Sequence, residues 1–255
     1  MGYAFSVGEF KTNFLEKAQM NKKITSLVTG TALSASLLLT PAITLAEDVS
    51  ISGNAGIMSD YIFRGIPQND AAGNGGIDLE YMGFYVGTWA AQVDPGIEYD
   101  FYAGYIFEFE NGMYVGAGGT TYQYTDDFDA EYNEINLYAG GSFEDVSIDL
   151  EFSFGDYNGV FLDDDGNTEG DEYTYMAATV GYSGAYITYG TFGDDADDAG
   201  GQNIEVGYSM EMAGFELTGA LVHTWDANLL VDGGSKDDDE ETEAYVSISW
   251  GFDIL

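Results

Sequence analysis

The chain has 255 residues, with 45 Asp and Glu against six Lys and Arg, no cysteine, three prolines and 35 glycines. Disulfide frameworks and thiolate metal centres are thereby excluded, and a formal charge of −39 excludes nonspecific nucleic-acid binding, which needs Lys and Arg against phosphate. An aromatic content of 15%, with 20 Tyr, is too high for a disordered acidic chain.

In chain order, residues 20–46 come first as a targeting segment. Lys22 and Lys23 form a charged start, Leu27 to Leu39 an apolar run, and Thr44-Leu45-Ala46 a small-residue cleavage site. The apolar run is short for a transmembrane span. Residues 1–19 fit a signal peptide badly and read as a preface from a misassigned start, with Met20 the true one. Cleavage after Ala46 would remove Glu9, Glu16 and four lysines, leaving 43 acids against Arg64 and Lys236. So strong a field suits a saline or cation-rich setting, where screening is short-ranged.

From residue 47 onward the pattern has period two. Val49, Ile51, Ala55, Ile57, Tyr61 and Phe63 share one parity, and Ser50, Ser52, Asn54, Asp60 and Arg64 the other. Ile97, Tyr99, Phe101, Ala103, Tyr105 and Phe107 oppose Glu98, Asp100, Tyr102 and Glu108; Val146, Ile148, Leu150, Phe152 and Phe154 oppose Ser147, Asp149, Glu151 and Ser153. Ile204, Val206 and Tyr208 oppose Glu205 and Ser209, and Val246, Ile248, Trp250 and Phe252 oppose Tyr245, Ser247, Ser249 and Asp253. Each segment is a strand with one apolar and one polar face. The spans expected are 49–64, 76–81, 84–93, 97–109, 113–124, 132–143, 146–157, 172–182, 185–192, 203–212, 215–225 and 243–255. In 84–93, 113–124 and 172–182 aromatics occupy both parities, so their faces stay open.

Tight connections (Met82-Gly83, Glu110-Asn111-Gly112, Glu144-Asp145, Ser183-Gly184, Ala213-Gly214) alternate with mostly longer, acidic ones. An even number of strands of about ten residues, turns at one end and loops at the other, predicts an all-β fold. The expected architecture is a single up-and-down antiparallel transmembrane β-barrel of about 12 strands over residues 47–255, set in outer-membrane lipid. A secreted β-sandwich explains the parity but not the alternating loop lengths. Tyr61, Phe63, Tyr81, Phe84, Phe109, Phe143, Tyr182, Tyr186 and Phe215 sit toward strand ends, as an interfacial girdle requires.

The blocks SDYIFRGIPQND, GGIDLEY, GFYVGTWAAQVD, EYDFYAGY, EINLYAGGSF and IDLEFSFGDY resemble the proteobacterial TorF-type putative porin family. Ser59-Asp60-Tyr61 with Phe63-Arg64-Gly65 is the most specific of them. The resemblance implies an exported barrel of a Gram-negative outer membrane with pore activity and no defined substrate. Pro67, the acidic late loops and the terminal Leu255 depart from the usual pattern.

The inward parity carries the chemistry. Asp60, Asp78, Glu80, Glu98, Asp100, Glu108, Asp149, Glu151, Glu205, Glu211, Glu216 and Asp253 are expected to line a narrow lumen with Arg64. Rings of carboxylates favour cations over anions, so the expected solutes are small and cationic or neutral. Two carboxylates about 7 Å apart at an effective dielectric of about 20 repel by roughly 2 kcal/mol, so some should bind a proton or counter-ion. Arg64 is expected to meet Asp60 and acids of neighbouring strands, its planar fork holding two carboxylates. The alternatives are a plugged barrel with merely hydrated acids, and a surface-interaction barrel.

No cofactor is expected. The acidic loops contain candidate ligands for loosely held Ca²⁺ or Mg²⁺, Asp163, Asp165, Asp194 and Asp197, although neither loop has the spacing of a dedicated calcium loop. His223, the one histidine, lies beside Trp225; with no nucleophile signature nearby it reads as a girdle or loop-edge residue, and no enzymatic activity is expected.

Overall fold

The computed structural model describes residues 49–161, 170–227 and 240–255. The expected preface and signal segment, and the candidate ligands Asp163 and Asp165, lie outside the described residues.

The wall strands are β1 (Ser50–Met58), β4 (Ala72–Tyr81), β5 (Phe84–Gln92), β6 (Ile97–Glu108), β7 (Met113–Tyr124), β8 (Tyr132–Phe143), β9 (Val146–Tyr157), β10 (Glu172–Tyr182), β11 (Ala185–Asp194), β12 (Gln202–Met212), β13 (Phe215–Trp225) and β14 (Glu240–Asp253). Each pairs antiparallel with its neighbours in chain order. β1 then closes on β14, from Ser52 opposite Asp253 to Met58 opposite Ser247, making a barrel of 12 strands. Closure leaves no sheet edge to be satisfied by lipid.

Alternation explains the wall. Ile57, Ile77, Val86, Phe101, Ile148, Leu150, Val206, Leu221 and Val246 stand exposed on the outside. The interposed residues point inward, where many of them are buried. In the ambiguous strands the structure selects one face: Tyr85 and Trp89 on β5, Tyr122 on β7, and Tyr173 and Tyr175 on β10 turn inside, while Phe84, Met113, Met176 and Tyr182 stay outside. The short turns Met82-Gly83, Ser183-Gly184 and Ala213-Gly214 place both central residues at positive φ. That is the mirror-image turn whose twist matches the flanking strands.

The opening span departs from expectation. The first span does not run to residue 64, because the wall strand ends at Met58. The chain then leaves the wall and forms a separate hairpin of β2 (Tyr61–Phe63) and β3 (Ile66–Asn69). Its two-residue turn, Arg64-Gly65 at φ 50° and 86°, repeats the turn chemistry of the wall. The hairpin is folded into the barrel, with Tyr61 2% and Arg64 5% exposed. Tyr61 and Phe63 are therefore not girdle residues, and neither is Tyr186, which is buried on the inward face of β11. Each of them has polar or aromatic partners inside the lumen that the lipid face would deny it. Tyr81, Phe84, Phe109, Phe143, Tyr182 and Phe215 are exposed at the ends carrying the short turns.

Candidate functional site: the crossed lumen

The hairpin reaches across the barrel at the end carrying the longer loops. On one side Arg64 Nη1 donates to Glu134 Oε1 of β8 at 2.5 Å, and Nη2 donates to Glu134 Oε2 at 3.1 Å. Nη2 also meets Glu151 Oε1 of β9 at 2.7 Å and Ser153 Oγ at 3.2 Å. Four strands further round the wall, Asn203 Nδ2 of β12 donates to the Arg64 carbonyl at 2.9 Å, and Thr224 Oγ of β13 donates to the Gly65 carbonyl at 2.8 Å. The tip is thus fastened at two separate places on the wall at once.

Aromatic contacts complete the hold. The guanidinium lies 4.3 Å from the Tyr175 ring centroid and 4.9 Å from that of Phe63. Phe63 packs on Tyr122 of β7, and Tyr61 meets Trp89 of β5 edge-on. Tyr61 also donates to Glu98 Oε1 of β6 at 2.6 Å. At least eight of the twelve wall strands therefore touch the hairpin. Gly65 is where the fit is tightest: a Cβ there would lie 2.6 Å from Thr224 Oγ and 2.7 Å from Asn203 Cβ. Only glycine satisfies both that approach and the positive φ.

Burial opposes charge on Arg64, but the Glu134 and Glu151 carboxylates outweigh it and hold the guanidinium above its ordinary pKa. It is a permanent cation. Glu134 is the most heavily satisfied acid, also accepting from Tyr122 at 3.1 Å, Tyr173 at 2.8 Å and Asn136 at 2.7 Å.

Tyrosine hydroxyls do the same for other lumen carboxylates. Tyr102 donates to Asp78 at 2.5 Å, Tyr114 to Asp149 at 2.8 Å, and Tyr186 and Tyr245 to Glu205 at 2.5 and 2.8 Å. The abundance of tyrosine and the scarcity of bases are thus connected: phenols supply the protons that Lys and Arg would otherwise bring.

Of the residues expected to line the lumen, Arg64 and Glu151 come into direct contact. Glu98, Asp100 and Glu205 are buried in the same loop-side half. Asp78, Glu80 and Asp149 face inward in the other half; Glu108, Glu211 and Asp253 are exposed at the turn-side rim, and Glu216 is half-buried opposite Glu211. Asp60, half-buried just ahead of the hairpin, is not among the ion-pair partners of Arg64. Those partners come instead from β8 and β9, 70 and 87 residues away, because the hairpin carries Arg64 off its own strand. Glu134, Asn136, Tyr122, Tyr173 and Asn203 were not anticipated. The inward parity of Glu134 and Asn136 against Ile135 and Leu137 was the available signal.

Among the described residues no three His, Cys, Asp or Glu converge as metal ligands. Asp194 ends β11, and Asp197 opens a single helical turn over Asp197–Gly200. His223 stacks on Trp225 at 5.6 Å and shares a 2.8 Å hydrogen bond with Thr242 on the neighbouring strand.

The sequence matches, over residues 43–247, the model of a family described as bacterial protein of unknown function (Gcw_chp). The chain belongs to the Gcw_chp family. No curated protein matches it. Among solved structures, this Gcw_chp chain is similar to the NanC porin, with a TM-score of 0.51 at 11% identity over 80% of this chain and 100% of that one. A structure of the KdgM porin matches at 0.49 and 11% identity, over 80% of this chain and 99% of that one. The NanC likeness is one of fold: a closed antiparallel β-barrel of porin type.

Proposed function

We propose that the protein is an outer-membrane channel through which small cationic or neutral solutes diffuse passively, and that the β2–β3 hairpin forms its constriction. The supporting observation is the lumen itself. Its loop-side half and middle concentrate Glu98, Asp100, Glu134, Glu151 and Glu205, with Arg64 the one cation there among the described residues. Such a field repels anions and lowers the barrier to cations. The porin-type fold and the resemblance to TorF-type porins agree with a channel and with a Gram-negative outer membrane, and they favour transport over catalysis.

Solutes pass beside the hairpin or when its tip withdraws. Conductance in planar bilayers, with reversal potentials in a KCl gradient, tests this reading. Cation-preferring steps support it; anion preference, or silence in every variant, removes it.

One observation favours a rival. A hairpin fastened at two places on the wall suits a plugged barrel with a structural or surface-interaction role, its acidic loops holding divalent cations. In that case freeing the hairpin leaves the bilayer silent.

A further inference from the structure

Beside the Arg64 clamp, the lumen holds a second acidic pair with no cation of its own. Glu98 and Asp100 are two residues apart on the inward face of β6, and are 1% and 0% exposed. Glu98 Oε1 receives the Tyr61 hydroxyl, and Tyr124, directly opposite on β7, is a second hydroxyl partner of the Glu98 carboxylate. Both carboxylate oxygens of Asp100 are buried without a hydrogen-bond donor. Arg64 does not supply one, since its Nη atoms are turned to Glu134, Glu151 and Ser153. Buried carboxylate oxygens are expensive to leave unmatched, and here two of them belong to one residue, beside a second buried acid on the same face of the strand.

The surroundings fit a compact positive charge. Directly opposite Asp100 stand Trp89 on β5 and Tyr122 on β7, both pointing inward. Tyr61 closes over Trp89 with ring centroids 5.9 Å apart, so the hairpin walls this corner off. Aromatic rings beside a cation add attraction that desolvation strengthens.

We propose that Glu98 and Asp100 form a binding site for one monovalent cation of Na⁺ or K⁺ size, held in the lumen beside the hairpin. Divalent ions suit it poorly. Mg²⁺ dehydrates reluctantly and keeps several waters, and Ca²⁺ gathers six to eight oxygen ligands, whereas both carboxylates are almost wholly buried beside aromatic rings and no third acidic or imidazole ligand joins them among the described residues. The site deepens the channel reading, on which it rests for access from water, and it is measured by binding rather than by current.

Trp89 provides the probe. Trp225 and Trp250 are the other tryptophans, so a Trp225→Phe, Trp250→Phe protein reports Trp89 alone. Tl⁺, a heavy-atom analogue of K⁺, should quench its emission in nitrate buffer and detergent. The expected result is saturable quenching, reversed by K⁺ or Na⁺ better than by Ca²⁺. Asp100→Asn, nearly isosteric, should weaken it at least tenfold while gel migration before and after heating confirms the barrel.

Non-saturable quenching in the parent protein overturns the proposal. So does saturation that Asp100→Asn leaves unchanged, or stronger competition by Ca²⁺. A proton shared by the pair, seen as a protonated-carboxyl infrared band insensitive to Tl⁺, overturns it as well. Saturable quenching in a protein that conducts nothing keeps the site and removes the channel; conductance without saturation does the reverse.

Discussion

Arg64 and Glu134 are 70 residues apart in the chain and meet as a two-pronged pair inside the barrel, each guanidinium Nη on its own carboxylate oxygen. The Glu134 side chain is fully buried and that of Arg64 is 5% exposed, so neither charge has water to fall back on. Removing one partner of such a pair costs about 3–5 kcal/mol, chiefly because the other is left uncompensated.

Arg64→Gln should therefore loosen the hairpin without dissolving the wall. Mean conductance and current noise are expected to rise and cation preference to shift, while migration on gels stays heat-modifiable. Unchanged conductance and selectivity in the folded variant would reduce Arg64 to a loop tether. Raising the pH should not reproduce the variant, since the pair holds the Arg64 pKa above its already high ordinary value and the charge would be lost only beyond that point.

Gly65→Val attacks the same tip through shape instead of charge. Its Cβ would collide with Thr224 and Asn203, and φ 86° is strained for a β-branched residue. The conductance change should match that of Arg64→Gln in direction. If Gly65→Val conducts like the parent, the tip is not fastened to β12 and β13 as described.

Selectivity should reside in the lumen rather than in the loops. Neutralising Glu98, Asp100 and Glu151 together should reduce the K⁺ over Cl⁻ preference more than neutralising the exposed loop acids Asp126, Asp127 and Asp129. Reversal potentials at rising salt check this, because charges in open water are screened within about 8 Å at physiological ionic strength and buried ones much less. Equal effects of the two triple variants would locate the preference at the mouth.

Leu150→Arg tests the membrane face. Leu150 lies in the middle of β9, 48% exposed on the outer wall. A cationic side chain at the bilayer midplane costs a barrel roughly 2–4 kcal/mol. Urea-dependent folding into vesicles should show that loss; a variant as stable as the parent would mean that this wall does not face lipid.

Much of the wall was legible in the sequence. β7, β8, β9, β10 and β13 coincide with the spans expected from parity and turn residues. Period two over ten or more residues, ended by a glycine turn, leaves a chain few other choices. The hairpin was missed because Tyr61 and Phe63 continue the parity of β1, so nothing in the alternation marks Met58 as an end. Its signal was the dipeptide Arg64-Gly65, which has the same form as Ser183-Gly184 and Ala213-Gly214. Tyr186 was misplaced for a related reason: position near a strand end says nothing about which face a tyrosine takes. That Arg64 would choose Glu134 was beyond reach, since the pairing depends on how twelve strands curve around one another.

The hairpin follows the first wall strand, yet its anchors extend from Trp89 to Thr224, the last of them 159 residues downstream of Gly65. No early stage of assembly can offer it those partners, since contacts so distant in sequence form only once most of the chain is in place. The segment made nearly first must therefore wait for strands made nearly last before it can dock. A half-built barrel has an open seam, and a finished one carries the hairpin across its lumen. The docking of Arg64 thus records that the wall is whole, and makes a single buried cation the mark of completed assembly.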